Sequence, residues 1–334
     1  MNKKYVIICY TLSILTMACS SGDDGGGLSG KSVVINNNGN TSDGSRFTAL
    51  DDKSFYLDYI KYSVKNGHLS VTGFDKQGFK GVASIYSNIT YKGNSYEVLE
   101  IGGDAFTLCK TLTAVTLPIN LKKINSQAFG SCENITSIRI PSSVEYIGQG
   151  IFYDCKKLTS IIVDNNNKTY DSRDNCNAII ETSSSKLISG CNNTKIPNSI
   201  MSLASYAFSG CADLKDITIP NCETIEERVF YLCSGLSSIT IPNSVLYISE
   251  AAFYNCSSLT TLTLGSSVEN IDYAAFDGCG NISTIHCLCS NPPSLYNSFD
   301  FRTYAKATVY VPKGSLDKYQ KSSGWKNFRN IVEE

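Results

Sequence analysis

The stretch AFYNCSSLTTLTLGSSVENIDYAAFDGC, residues 252–279, opens and closes on almost the same five letters. Ala252-Phe253 is followed three residues on by Cys256, and Ala275-Phe276 three residues on by Cys279. Between them lies LTTLTL (259–264), then a second apolar pair, Val268 and Ile271. Self-similarity at a fixed period is the signature of a repeat array, so the rest of the chain is read against this unit.

Phenylalanines recur at 106, 129, 152, 208, 230, 253, 276 and 299, spaced by 23, 23, 56, 22, 23, 23 and 23 residues. The first seven each have a cysteine three residues on: Cys109, Cys132, Cys155, Cys211, Cys233, Cys256 and Cys279. A strand follows each, and six of the seven fit one apolar pattern, as in LTAVTL (112–117), ITSIRI (135–140), LKDITI (214–219) and LSSITI (236–241), while ISTIHC (282–287) ends on Cys287. Alternation along a strand sends its last two apolar residues to one side and the residue between them to the other. Proline often stops the strand, at Pro118, Pro141, Pro220 and Pro242. The second apolar pair then turns inward on an opposite wall, and phenylalanine plugs the corner. One such unit cannot bury its own inner face, so neighbours must stack. The 56-residue gap holds an enlarged repeat at 164–197, in which AIIE and KLIS flank TSSS as a hairpin.

The ends differ, as the caps of an array should. Residues 46–100 are expected to form an N-terminal β cap with hairpins at Asn66-Gly67 and around Lys92-Gly93-Asn94. The repeats are expected over 101–312. Residues 313–334 read as an amphipathic helical lid that uses Leu316, Tyr319, Trp325, Phe328 and Ile331.

At the front, Lys3 and Lys4 precede a short apolar run and LTMAC. This is the layout of a secretory signal peptide, residues 1–18. The LTMAC end resembles the lipobox of bacterial lipoproteins, which implies lipidation of Cys19. Thr16 departs from the leucine or valine usual there. Residues 19–45, rich in Gly, Ser and Asn, read as a flexible lipid-anchored linker. Asp23-Asp24 resembles the acidic export signal of surface lipoproteins. The expected location is therefore the outer membrane, on the cell surface.

The repeats resemble the BspA-type leucine-rich repeats of bacterial surface proteins, from about residue 85 to 334. The units, the insertion YDSRDNCNAIIE and the ending VYVPKGSLDKYQKSSGWKNF carry that resemblance. It implies a right-handed, mainly β leucine-rich-repeat solenoid: a parallel sheet on the concave face, short strands and turns on the convex face. Such proteins are regarded as adhesins or as binders of host or bacterial surface proteins.

Composition narrows the chemistry. The chain has 334 residues and a net charge of −1, with 29 Lys+Arg against 30 Asp+Glu, so no strong field would recruit nucleic acid. Two histidines, His68 and His286, limit metal and general-base roles. Seven cysteines at one repeat position cannot be seven nucleophiles, and a ladder does not converge on a metal. Parallel rungs set their Cβ atoms about 4.8 Å apart, wider than a disulfide prefers. Buried free thiols are therefore expected. A local disulfide at Cys289, or one joining Cys176 and Cys191, is left open, and so is the pairing of Cys287. No catalytic residue, metal site or cofactor is expected.

A binding face, if the array has one, lies on the outward strand positions. One column is Thr116, Arg139, Ile162, Lys195, Thr218, Thr240, Thr263, His286 and Tyr310. A second is Ala114, Ser137, Ser160, Asp216, Ser238, Thr261, Thr284 and Thr308. Short hydroxyls dominate both, and hydroxyls also simply suit exposed strands. The insertion is the rival surface, since long loops on rigid scaffolds often carry function. The expected role is non-enzymatic protein or cell adhesion by a lipid-anchored surface protein. A glycan-binding accessory role is the alternative, weakened because the columns mostly lack aromatic platforms.

Overall fold

A computed structural model describes residues 28–334. The signal peptide, Cys19 and the first part of the linker lie outside the described residues. Phe47–Ala49, Ser54–Leu57, Ile60–Lys65 and His68–Phe74 form an antiparallel meander, and from Val82 onward the chain is a stack of rungs with two β walls and a phenylalanine corner. No helix among the described residues is long and apolar enough to cross a membrane.

The first wall is built from the strands that the repeat predicts. Ser238–Thr240, Thr261–Leu264, Thr284–Cys287 and Thr308–Val311 form a parallel sheet in register. Ser137–Ile140 and Ser160–Val163 form a second parallel segment. Alternate leucine and isoleucine side chains point inward and are buried, for example Ile138, Ile161, Leu262 and Ile285, whereas Ile162 stands on the outward face. The second wall uses two-residue strands. Lys123–Ile124 pairs with Tyr146–Ile147, and Thr224–Ile225, Tyr247–Ile248, Asn270–Ile271 and Ser294–Leu295 pair in sequence.

The corner is a column of stacked rings. Phe106 and Phe129 lie 5.4 Å apart and nearly parallel, and Phe253 and Phe276 lie 5.0 Å apart at 3°. Phe208, Phe230 and Phe299 extend the second stack. The corners from Phe106 to Phe276 each turn on two residues in the left-handed region, one two positions before the phenylalanine and one two after. Gln127 and Ser131 flank Phe129, Ala251 and Asn255 flank Phe253, and Ala274 and Gly278 flank Phe276, all with φ between 53° and 74°.

The enlarged repeat divides the core. Tyr170–Asp171, Ile179–Glu181 and Lys186–Ser189 form an antiparallel meander, and the last of these joins Ser202–Leu203 in parallel. One apolar cluster holds Phe106, Phe129 and Phe152; the other holds Phe208 through Phe299 and Trp325. The two ring stacks are those same groups, broken between Phe152 and Phe208.

Three sequence expectations need correction. The linker does not run to residue 45, because Leu28–Ser29 pairs with Leu117-Pro118 and Ser32–Val34 pairs with Asn88–Thr90. Val33 and Ile35 supply the apolar side chains that dock this segment. The array also starts inside the expected cap, since Val82–Ser84 pairs in parallel with the first repeat strand. Finally, the helical lid is short. Leu316–Lys321 is a helix that buries Tyr319, and Trp325–Asn327 is a 3-10 turn that buries Trp325. The chain then becomes a strand, Asn330–Glu333, parallel to Thr308–Val311. The unpaired edge of the last rung favours ladder bonds over a further helical turn. Elsewhere the cap follows its turn chemistry. Asn66-Gly67 and Lys92-Gly93 each take positive φ at both central positions, the geometry that matches hairpin twist.

Candidate interaction surface

The outward columns are real where the ladder is real. Thr240, Thr263, His286 and Tyr310 are direct register partners, as are Ser238, Thr261, Thr284 and Thr308. Arg139 and Ile162 are partners in the other segment. His286 and Tyr310 stack with ring centroids 5.0 Å apart, and His286 Nδ1 lies 3.0 Å from the Glu334 carboxylate. Arg139 reaches Asp164 at 3.5 Å. The final strand adds Val332 beyond Tyr310, a position the sequence reading missed because it took that segment for helix.

Lys195 and Thr218 do not join this surface as expected. Both are exposed, but neither lies on a strand. The insertion has taken the donors that a ladder would use: Lys195 N–H bonds Cys176 O at 3.1 Å, and Thr194 N–H bonds Cys191 O. Pro197 then removes another donor. Thr116 sits on Ala114–Pro118, which is bonded to Val82–Ser84 and to Leu28–Ser29 rather than to the Arg139 strand. The single column of the sequence is therefore three pieces, Thr116, Arg139 with Ile162, and Thr240 through Tyr310, with its widest break at the insertion between the last two.

At that break the two rival surfaces meet. Ser137, Ser160 and Ile162 from the sheet, Thr136 and Thr159 just before its strands, and Asn177 and Asn193 from the insertion line a cleft of about 430 Å³. Its walls carry no charged side chain. Asn177 and Asn193 were not singled out from sequence, although both stand in polar runs inside the insertion.

The cysteines are occupied structurally. The thiol of Cys132 donates to the carbonyl of Phe106 at 3.1 Å, one rung back. Cys155, Cys233, Cys256 and Cys279 make the same bond to Phe129, Phe208, Phe230 and Phe253 at 3.0–3.2 Å. Burial pushes the thiols of Cys132, Cys155, Cys233 and Cys256 well above the ordinary range, which suppresses the reactive thiolate. The HCLC cluster is likewise spent. Tyr319 donates to Cys289 O, Cys287 lies 3.0 Å from the Tyr319 hydroxyl, and Cys289 donates to Gly265 O. Cys176, Cys191, Cys287 and Cys289 are free and buried, so neither disulfide left open by the sequence is formed. No group of three or more His, Cys, Asp or Glu among the described residues is placed to hold a metal.

Comparison with known proteins places this architecture. The chain is similar to a leucine-rich cell surface protein from Faecalibacterium prausnitzii, at 19% identity over 72% of this chain and 96% of that one, with a TM-score of 0.43. It is similar to a leucine-rich repeat protein from Eubacterium ventriosum, at 21% identity over 73% and 78% of the two chains, with a TM-score of 0.47. A leucine-rich repeat protein from Bacteroides ovatus shares 20% identity over 84% and 99%, with a TM-score of 0.28. No curated protein matches. The model of the BspA type leucine rich repeat region matches in six copies, over residues 72–183 and 178–301. Its stacked strands, phenylalanine corners and repeat period make the chain a member of the BspA-type leucine-rich-repeat family.

Proposed function

We propose that this is a non-enzymatic interaction protein of the cell surface, which binds a protein partner on the host or on a neighbouring bacterium through the outer face of its first wall. The observation that supports this most is the register of that face. Three strands running from Thr261 to Tyr310 present Thr261, Thr284 and Thr308 beside Thr263, His286 and Tyr310 as a fixed two-column array. A rigid sheet loses little conformational entropy on docking, so short side chains suffice to register a partner. The stacked His286 and Tyr310 supply the amphipathic, rotamer-poor contact typical of interface anchors.

Pull-down of surface proteins by the full chain, with Thr263→Lys and Tyr310→Ala as variants, tests this. Loss of a captured partner by at least about tenfold supports the reading, since truncating an interface anchor typically costs that much. Equal capture by wild type and variants refutes it. The same reading places the protein on a lipid anchor at Cys19. Cys19→Ala should move it from the membrane to the soluble fraction, and unchanged partitioning would sink the anchor while leaving the face untested only in its location.

A further inference from the structure

We propose that the cleft at the break in the first wall is a binding site for a neutral saccharide. Six of its seven lining side chains are hydroxyls or carboxamides, and the seventh is Ile162. Among the described residues, the side chains of Thr136, Ser137, Ser160, Asn177 and Asn193 make no hydrogen bond. Only Thr159 spends its hydroxyl internally, on the carbonyl of Thr136 at 3.3 Å. Ser137 is the telling member. It is 4% exposed, faces the cleft in register with Ser160, and has no partner. Its hydroxyl is not sealed inside the protein but opens to the cleft, where an incoming ligand can bond it without displacing an internal partner.

The chemistry of the lining selects the ligand. A volume of about 430 Å³ falls in the ordinary range for small-molecule sites. No lysine, arginine, aspartate or glutamate lines the cleft, so an anion, a cation or a peptide terminus would find no counter-charge. No apolar pocket is present for a peptide side chain beyond the single face of Ile162. A pyranose matches instead, with hydroxyls around its rim for serine, threonine and asparagine and one C–H face for Ile162. The site needs no aromatic platform, the feature whose absence from the columns argued against glycan binding. The carboxamides come from the insertion and the hydroxyls from the sheet and the residues just before its strands, so neither surface forms the site alone.

This inference is independent of the protein-partner reading, because the cleft lies apart from the Thr263–Tyr310 columns. The test is a titration of the folded full chain with galactose, mannose, N-acetylglucosamine and their disaccharides, followed by calorimetry. At least one should bind with a Kd of about 1 mM or tighter. Asn177→Gly with Asn193→Ala should weaken it at least about tenfold, roughly the loss of one or two hydrogen bonds. Asn177 has φ 54°, so glycine removes the carboxamide without straining the turn. A second variant, Ser137→Val with Ser160→Val, fills the cleft with methyl groups on residues that suit strands and should abolish binding. Thr263→Val should leave it unchanged. No binding by any of these saccharides at about 50 mM, far above the expected Kd, overturns the proposal. So does an affinity that both cleft variants leave intact. Capture of a protein partner persisting through either result would leave the protein-partner reading standing.

Discussion

Cys256 shows what a single residue does in this array. Its thiol donates to Phe230 O at 3.2 Å while its own N–H bonds Phe253 O within the corner. The carbonyls of Phe106, Phe129, Phe208, Phe230 and Phe253 each meet one donor from their own rung and one from the next, which ties the rungs together at the corner. A serine has a shorter bond to its oxygen and a stronger need for partners, so Cys256→Ser should cost about 1–3 kcal/mol. The same burial makes the thiols a pH device. The folded pKa values of Cys132, Cys155, Cys211, Cys233 and Cys256 lie above the ordinary 9.0, and Cys176 is pushed up to about 11 by burial. A folded state that holds its protons more tightly than the unfolded chain is at full strength below the unfolded value and weakens above it. Stability should hold up to about pH 9 and then fall steadily, and native thiols should resist alkylation below that. Urea midpoints at about pH 8 and about pH 10 check this; equal midpoints would exclude the thiols as titrating contributors.

At the scale of the element, the corner is a pair of left-handed residues around a phenylalanine. Ala251 and Ala274 each hold φ 53°, a conformation that costs a β-carbon about 1–2 kcal/mol. Glycine gives back part of that gain as chain entropy. Ala251→Gly should therefore stabilise the array by about 0.5 kcal/mol, while Ala252→Gly, one residue on and fully buried, should destabilise it. Thermal melts of the two variants moving in the same direction would contradict this account. These turns were legible in retrospect. Gly150, Gly210, Gly278, Asn255 and Asp154 occupy the left-handed positions, and glycine, asparagine and aspartate are the residues that tolerate them. The strands were more legible, because the inward pair Leu262 and Leu264 must alternate with Thr261 and Thr263. The breaks at Lys195 and Thr218 were not, since their local pattern still reads as strand. Whether a strand forms depends on a neighbour that offers ladder bonds, and the insertion spends those bonds elsewhere. The cleft was hidden for the same reason: Ser137 and Asn193 are 56 residues apart and meet only through that break.

The whole molecule is two apolar clusters meeting at one tight junction. Gly210 sits there with φ 80°, and a β-carbon on it would come 2.2 Å from Asp154 Cα. Asp154 N–H bonds Ser209 O, and Gly210 N–H bonds Tyr231 O, so this turn is hydrogen-bonded to both blocks. In a stacked array stability is a sum of unit terms and interface terms, and cooperativity lasts only while the interface is strong. Gly210→Ala forces a left-handed β-carbon into backbone and should weaken the junction by at least about 2 kcal/mol. The single tryptophan allows the consequence to be read. Trp325 belongs to the second cluster, whereas Cys132 belongs to the first. In Gly210→Ala, Trp325 fluorescence and thiol exposure at Cys132 should follow separate urea transitions. Adding Phe253→Ala, worth about 3–5 kcal/mol in the second cluster, should shift the fluorescence transition and leave the Cys132 transition in place. If both probes still move together in the double variant, the two clusters are one cooperative unit and the insertion joins them rather than dividing them.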